Sequence, residues 1–123
     1  MDYRSLKDRA SEFLRLTATG HVDEAYAKHV AEDFKHHNQY FKGDKASLLE
    51  AMKESSQKWP KRKFTIKHIV QEGDLVVAQS HVMLDPMELS AMHLMRFKDG
   101  LIVELWDIGQ QISADSPNVN GPF

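Results

Sequence analysis

The chain contains no cysteine among its 123 residues. That absence excludes a disulfide framework, a thiolate zinc site, an iron–sulfur cluster and a cysteine nucleophile, and it fits a reducing compartment. Long apolar runs are missing as well, because the longest is the four residues Leu75–Ala78. A membrane span or a signal-peptide core needs a much longer run. We therefore expect a soluble, cytoplasmic protein with no membrane partner.

An excess of positive charge is also lacking. Sixteen basic and eighteen acidic side chains give a formal net charge of -2, whereas nucleic-acid-binding domains are usually basic. The sequence has no glycine-rich dinucleotide fingerprint, no phosphate-binding loop and no nucleophile elbow of a serine hydrolase. Binding of nucleic acid or nucleotides and serine hydrolysis are therefore not expected. The hydrophobic share of 41% and the length are typical of one globular domain.

The first half of the chain has the periodicity of helices. Apolar residues recur at helical spacing in three segments, which predicts three helices before any strand. Ser5 caps the first helix and Gly20 ends it, the second runs from Val22 to about Asp33, and the third begins at Asp44 and ends shortly before Pro60.

From Lys61 onward the apolar period changes to two, which predicts strands. In the first strand this alternation puts Phe64, Ile66, His68 and Val70 on one face. Three more strands follow, over Leu75 to about Leu84, about Ala91 to Phe97, and Leu101 to about Ile112. Helices followed by strands are typical of the α+β class. Residues 113–123 are expected to form an irregular tail, since they are rich in Pro and Asn.

A carboxylate stands at a position where the last strand should be apolar. Alternation places Asp107 on the same face as Val103 and Leu105. Because an uncompensated buried carboxylate costs several kcal/mol, Asp107 is expected to be hydrogen-bonded or to lie in a cavity that water or a ligand reaches. A carboxylate removed from water is a stronger base, suited to take a proton and return it. The alternative is an Asp at the strand end that leaves the sheet for solvent.

A polar segment, Lys35–Tyr40, follows the second predicted helix. Adjacent side chains of an extended chain point to opposite sides, so His36 and His37 are not expected to serve one site together. His37, Asn38 and Tyr40 have groups that can hydrogen-bond a ligand oxygen. The segment is therefore interpreted either as part of a binding site or as a polar connecting loop.

Two further histidines, His81 and His93, lie in strands otherwise rich in apolar residues. A single buried histidine is usually part of a core, but two of them together with Asp107 favour a shared cavity, since an imidazole can donate, accept or transfer a proton. Whether His93 faces Asp107 depends on the turn between the last two strands. A three-residue loop, Lys98–Gly100, puts them on the same face, and a two-residue turn puts them on opposite faces.

Histidine and carboxylate side chains are also metal ligands. His37, His81, His93 and Asp107 would suit zinc or iron chemically. Their spacing includes neither a His-Glu-x-x-His helix motif nor a His-x-His strand motif followed by a carboxylate. No metal site is therefore expected.

Three segments carry a recognisable pattern: Asp33–Asn38, Gly73–Val77 and, most specifically, Arg96–Asp107. With three helices ahead of a sheet, they resemble the SnoaL-like polyketide cyclases of the nuclear transport factor 2-like superfamily, and the resemblance runs from about Leu6 to Ile112. It implies a single domain over residues 1–123. It further implies a cone-shaped α+β barrel in which three N-terminal helices pack on a curved antiparallel sheet and enclose a pocket, and a homodimer.

The resemblance also implies roles for residues. In that family the carboxylate of the last strand is the acid and base, and it matches Asp107, with His93 as a polar partner on the preceding strand. The His-Asn pair after the second helix matches His37 and Asn38, and His81 matches a histidine of many relatives. The predicted catalytic residues are thus Asp107 and His93, and the predicted substrate-binding residues are His37, Asn38, Tyr40 and His81.

The chemistry that the resemblance implies needs no cofactor. Asp107 would remove a proton next to a carbonyl of a small apolar ligand, and His93 would stabilise the enolate. The enol carbon would then close an intramolecular aldol bond, whereas an isomerase would return the proton to another carbon.

A second interpretation is a non-catalytic module of the same fold that binds a small ligand or serves as a dimeric scaffold. In such a module Asp107 would be tied to a backbone or arginine partner. Alternation places Ile102, Trp106 and Ile108 on the face opposite Asp107, where they would form an exposed apolar patch. We expect that patch to be covered by a second copy of the chain.

Overall fold

The computed structural model describes residues 5–123. Three helices pack on one face of a five-stranded sheet, which confirms the predicted α+β class. The helices are α1 (Leu6–Ala18), α2 (Val22–His29) and α3 (Lys45–Lys58), and the strands are β1 (Val30–His36), β2 (Lys63–Glu72), β3 (Leu75–Met83), β4 (Glu88–Lys98) and β5 (Leu101–Gln111).

Helix α1 begins and ends where its local chemistry predicts. The Ser5 hydroxyl accepts a hydrogen bond from the Asp8 backbone N–H at 3.2 Å, which satisfies one of the free donors of the first turn. Gly20 follows the helix with φ of +90°, a left-handed conformation that glycine adopts without strain. The buried side of α1, which includes Phe13 and Leu14, covers the sheet.

Strand β1 corrects the prediction for the second helix. That helix ends at His29 rather than near Asp33, and the chain continues directly as β1. Within residues 5–123, two helices therefore precede the first strand, where three are predicted. β1 pairs in parallel with β5, with His36 opposite Leu105. Because this partner lies far away in sequence, the tertiary pairing overrides the local helical pattern. It also makes the sheet mixed rather than wholly antiparallel.

The sheet has the strand order β1-β5-β4-β3-β2 and stays open, with β1 and β2 as its edges. A register shift between Ile66 and His68 changes the alternation of β2. Ile66 and Ile69 therefore pack against the core, whereas His68 and Val70 are exposed, so the predicted common face is wrong beyond Ile66. A bulge of this kind adds one residue to one strand and reverses the faces that follow.

A second bulge decides the register of the β4–β5 hairpin. Asp99 and Gly100 form a two-residue turn, both with positive φ, and Lys98 pairs with Leu101. Alternation from this turn alone would put His93 and Asp107 on opposite faces. The bulge at Val103 adds one residue to β5 and reverses that outcome.

The core occupies the end of the sheet near the β4–β5 hairpin. Side chains of β3, β4 and β5 that are fully buried there meet the apolar sides of α1 and α2. The fully or almost fully buried side chains of this core include Phe13, Leu14, Val76, Met95, Ile102 and Leu105. At the other end of the sheet the helices and the strands separate and leave a cavity.

The chain from residue 112 onward has neither helix nor strand. Its last residue, Phe123, contacts the ring of His81 at a centroid distance of 4.9 Å, and the Lys67 ammonium lies 5.3 Å from the Phe123 ring. No helix of residues 5–123 is long and apolar enough to cross a bilayer.

Candidate active site

A cavity of about 540 Å³ opens between the helices and the inner face of the sheet. Most of its wall is apolar, and its strand side comes from the ends of β2, β3, β4 and β5 that lie away from the core. The polar and charged groups on this wall include Arg62, His93 and Asp107, together with the segment His37–Tyr40.

Asp107 and His93 lie directly opposite each other on β5 and β4 and face the cavity together. Side chains at paired positions of neighbouring strands are roughly 5 Å apart at their Cβ atoms. Both groups are incompletely satisfied: Asp107 Oδ1 and His93 Nδ1 are buried and have no hydrogen-bond partner in residues 5–123. Such orphaned polar atoms cost stability unless a ligand or water meets them.

The other carboxylate oxygen of Asp107 is held by Asn38. The Asn38 amide nitrogen, Nδ2, donates to Asp107 Oδ2 at 3.1 Å. The Asn38 carbonyl oxygen, Oδ1, in turn accepts from the Tyr40 backbone N–H at 3.0 Å, which fixes which end of the amide faces Asp107. The Asn38 backbone N–H donates to His36 Nδ1 at 3.2 Å. Asn38 is therefore oriented from two sides.

The parallel pairing of β1 with β5 brings Asn38 to this place. His36 pairs with Leu105, and the His37 backbone N–H donates to the Leu105 carbonyl at 2.9 Å. Two parallel strands advance together, so two residues further along each chain Asn38 arrives beside Asp107. This juxtaposition depends on β1, the strand that the helical pattern concealed.

Burial sets the charge state of His93. Removal from water lowers the pKa of its imidazole, and the nearby Asp107 charge opposes this shift only in part. His93 is therefore a neutral imidazole near neutral pH, with one N–H donor and one acceptor nitrogen.

Tyr26 of α2 lies deeper, and its hydroxyl contacts Met52 Sδ at 3.3 Å. Burial and the Asp107 charge raise its pKa, so the phenol stays protonated.

The remaining predicted residues of the segment lie at the cavity rim. His37 lines the rim, but its ring stacks on Trp106 with centroids 4.8 Å apart, and its Nε2 atom lies 2.5 Å from Glu104 Oε2. These partners belong to the outer face of the sheet. Tyr40 also lines the cavity and is 79% exposed, which places it at the mouth.

His81 is not brought to this site. On β3 the side chains of Ser80 and Val82 are buried on the inner side, so alternation turns His81 to the outer face. There its Nε2 atom lies 2.7 Å from Glu88 Oε1, and its ring contacts Phe123. The expectation that both strand histidines share one cavity with Asp107 is therefore wrong for His81.

Arg62, Ser55 and Thr17 line the cavity and were not singled out by the sequence. Arg62 stands between Lys61 and Lys63, both exposed, and nothing in that run of three basic residues distinguishes it. Its position just before β2 turns it inward. Ser55 and Thr17 are ordinary polar residues of amphipathic helices, for which periodicity carries no functional signal.

Metal binding finds no geometric support in the part of the chain that the structure describes. No three His, Asp or Glu side chains of residues 5–123 converge to hold an ion.

Comparison with known proteins yields one family match. Residues 10–105 match the family described as SnoaL-like domain. A search of curated proteins found no match.

Solved structures with the same fold come from proteins of several descriptions. IdmH from Streptomyces antibioticus, a proposed polyketide cyclase, is 22% identical with a TM-score of 0.73, over 87% of this chain and 93% of that chain. AclR from Streptomyces galilaeus, a proposed hydroxylase, is 18% identical with a TM-score of 0.67, over 86% and 91%. An uncharacterised cystatin-fold protein from Novosphingobium aromaticivorans is 18% identical with a TM-score of 0.72, over 86% and 99%. At these identities the likeness shows the fold.

Proposed function

Because the chain belongs to the SnoaL-like domain family, we propose that it is a cofactor-independent enzyme that transfers a proton at the carbon next to a carbonyl. The reaction is an intramolecular aldol cyclisation or an isomerisation of a small, largely apolar ligand. One observation carries this proposal: Asp107 Oδ1 is buried at the cavity without a partner, while Oδ2 is held by Asn38. A carboxylate in that state is a positioned general base.

In the proposed mechanism Asp107 Oδ1 takes the proton from the α-carbon, and the electron pair of the C–H bond moves into an enolate. Neutral His93 donates a hydrogen bond to the enolate oxygen, where negative charge develops. In a cyclisation the α-carbon then attacks a second carbonyl of the same molecule, and the new alkoxide takes the proton back from Asp107. In an isomerisation the proton returns to another carbon of the conjugated system.

Asn38 is proposed as a positioning residue. It donates to Oδ2, the oxygen of Asp107 that does not react in this mechanism, and leaves Oδ1 without a partner in residues 5–123. The binding-module interpretation expects Asp107 to be tied to a backbone or arginine partner. Its partner is instead the Asn38 side-chain amide, and Oδ1 has none in residues 5–123, which favours the catalytic interpretation.

Deuterium uptake tests the proton transfer directly. Wild-type protein is incubated in D2O with 4-benzoylbutyrate and its methyl ester, and NMR follows exchange at the carbon next to the ketone. We expect faster exchange than in buffer, and a loss of about 100-fold to 10,000-fold of this acceleration in Asp107→Asn.

Asp115→Asn makes the same chemical change in the exposed tail and is the matched control, with exchange expected at the wild-type rate. Equal exchange by Asp107→Asn and wild type would refute Asp107 as the base. Absence of enzymatic exchange for both compounds would count against this chemistry altogether.

We also propose that the outer face of the sheet forms a homodimer. Met92 and Ile108 pair across β4 and β5 on this face and are 43% and 73% exposed, and the pair Leu94–Trp106 lies next to them. A run of apolar side chains on an open sheet face is typical of a protein interface. Ile102, expected in this patch, is instead fully buried on the inner face because of the bulge at Val103.

A further inference from the structure

Arg62 places a positive charge in the wall of the cavity. Its side chain is half-buried, Nη2 donates to Ser55 Oγ at 2.8 Å, and Nε points to the Trp59 carbonyl at 3.5 Å. Both partners are uncharged. Within residues 5–123 no ion pair includes Arg62.

Arg96, another half-buried arginine of the chain, has carboxylate partners. Arg96 donates to both carboxylate oxygens of Asp74 at 3.1 Å and lies 3.7 Å from Glu104. Lys61 and Lys63, the neighbours of Arg62, are exposed to water. Arg62 thus combines a cavity position, partial burial and the absence of a counter-charge in the described chain.

Such a group is costly to the folded protein, because a charge withdrawn from water needs a partner. Burial lowers the pKa of the Arg62 guanidinium, because partial removal from water disfavours its charged form. An arginine nevertheless remains protonated at neutral pH. The cavity therefore presents an unpaired cation whose Nη1 donors, and one hydrogen of Nη2, are not used by the bonds described.

Arg62 and Asp107 lie on different sides of the cavity. Asp107 belongs to β5, whereas Arg62 immediately precedes β2 at the sheet edge, and the strand order puts three strand spacings between them. At about 4.8 Å for each spacing, the two strands are roughly 14 Å apart across the sheet. Arg62 also lies seven positions before Ile69, the β2 residue that is level with Asp107. A ligand of moderate length is needed to contact both groups.

We propose that Arg62 binds a carboxylate of the substrate, at the side of the cavity away from the carbon that loses its proton. A guanidinium forms paired hydrogen bonds with a carboxylate, and partial removal from water strengthens them. The Ser55 hydroxyl accepts from Arg62, so its own hydrogen is free to donate to the same carboxylate. The substrate is then a keto acid, with its ketone at Asp107. The placement of the ketone at Asp107 rests on the proposed function, whereas the binding of a carboxylate by Arg62 does not.

The test compares an acid with its neutral ester. Affinities of a longer aryl keto acid, 9-oxo-9-phenylnonanoate, and its methyl ester are measured by NMR titration for wild type, Arg62→Met and Arg62→Lys. We expect wild type to bind the acid at least about tenfold more tightly than the ester, Arg62→Met to lose this preference, and Arg62→Lys to keep part of it. Lys61→Met removes a positive charge from the adjacent residue and should keep the wild-type preference for the acid over the ester.

Three results would overturn the proposal: equal affinity of acid and ester for wild type, no binding of the acid at millimolar concentration, or an undiminished preference in Arg62→Met. If Arg62→Met fails to fold, Arg62→Lys and Ser55→Ala provide the same comparison, since either change weakens the paired site and an unchanged preference in both contradicts it.

Deuterium exchange recorded on the same samples separates this proposal from the proposed function. An acid preference without exchange leaves the Arg62 site standing and refutes the proton transfer. Exchange without an acid preference refutes the Arg62 site alone.

Discussion

The two faces of the sheet differ in whether their polar side chains have partners within the protein. On the outer face Glu104 contacts His37 and lies within 4 Å of Lys35 and Arg96, and His81 contacts Glu88. On the inner face Asp107 Oδ1 and His93 Nδ1 have no partner in the described chain. The carboxylate–histidine combinations of the two faces thus differ in whether hydrogen bonds within the protein satisfy them.

This contrast separates polar residues that stabilise the fold from those available to a ligand. Partnered polar groups recover the interactions they lose with water, whereas orphaned buried groups remain a cost to the folded state. A fold that retains such a cost at a cavity of about 540 Å³ is typical of a functional site. The outer face exposes the apolar residues Met92 and Ile108.

At the outer face, a charge should break the proposed dimer. Met92→Lys places an ammonium in the apolar patch, and we expect the dimer dissociation constant to rise about 100-fold or more, because a desolvated unpaired charge opposes association. Sedimentation equilibrium measures the change. Gln57→Lys adds the same charge to the exposed side of α3 and should leave the mass unchanged. A monomeric wild type at micromolar concentration would exclude the dimer.

On the inner face, Asn38→Ala tests whether the held oxygen of Asp107 matters for proton transfer. We expect deuterium exchange to slow about 10-fold to 100-fold, because the base loses its orientation. Asn118→Ala in the tail is the matched control. An exchange rate equal to that of wild type would refute this positioning role.

A smaller effect concerns the free energy of unfolding, which should distinguish Glu104 from Asp107. Glu104→Gln weakens the contacts with His37, Lys35 and Arg96, and we expect the free energy of unfolding to fall by about 1 kcal/mol. Asp107→Asn keeps an acceptor for Asn38 and removes a buried charge, so stability should stay equal or rise by up to about 1 kcal/mol. Urea denaturation measures both. The contrast between the faces fails if Asp107→Asn is the more destabilised variant.

The smallest effect concerns the pH dependence of stability. Since burial lowers the pKa of His93 in the folded state, the unfolded chain binds a proton more readily below about pH 6.5. Stability that is present above that pH is therefore lost as the pH falls, and the lowered pKa of His29 adds to the same loss. His93→Gln should flatten the decline in the free energy of unfolding between about pH 7 and pH 5.

Asp107→Asn provides the opposing control for that measurement. The Asp107 charge raises the pKa of His93. Without that charge the pKa of His93 should fall further, so the free energy of unfolding should keep declining to lower pH than in wild type. The double variant should resemble His93→Gln. An unchanged slope in His93→Gln would show that this histidine does not contribute to the pH dependence.

Several parts of this protein follow from local sequence pattern. The family resemblance and the α+β class are confirmed. Alternation also predicted that Asp107 and Leu105 share a face, and both lie on the inner side. These features depend on short-range periodicity, which each segment carries in its own residues.

The register of the site did not follow from the turn. A two-residue turn predicts that His93 and Asp107 lie on opposite faces, yet the bulge at Val103 brings them together. No residue type in the segment Ile102–Glu104 marks that bulge, because its position is decided by which side chains the core accepts. The same reasoning explains why His68 and Val70 were assigned to the wrong face of β2.

The sequence by itself determined the periodicity of most helices and strands, the family, and the set of polar residues available for a site. Only the tertiary structure decided which of them meet: Asn38 reaches Asp107 across 69 positions of sequence through the parallel β1–β5 pairing, His81 is turned away, and Arg62 is turned inward. The physical reason is that alternation is a property of neighbouring residues, whereas bulges, strand partners and cavity walls depend on packing between segments far apart in the chain.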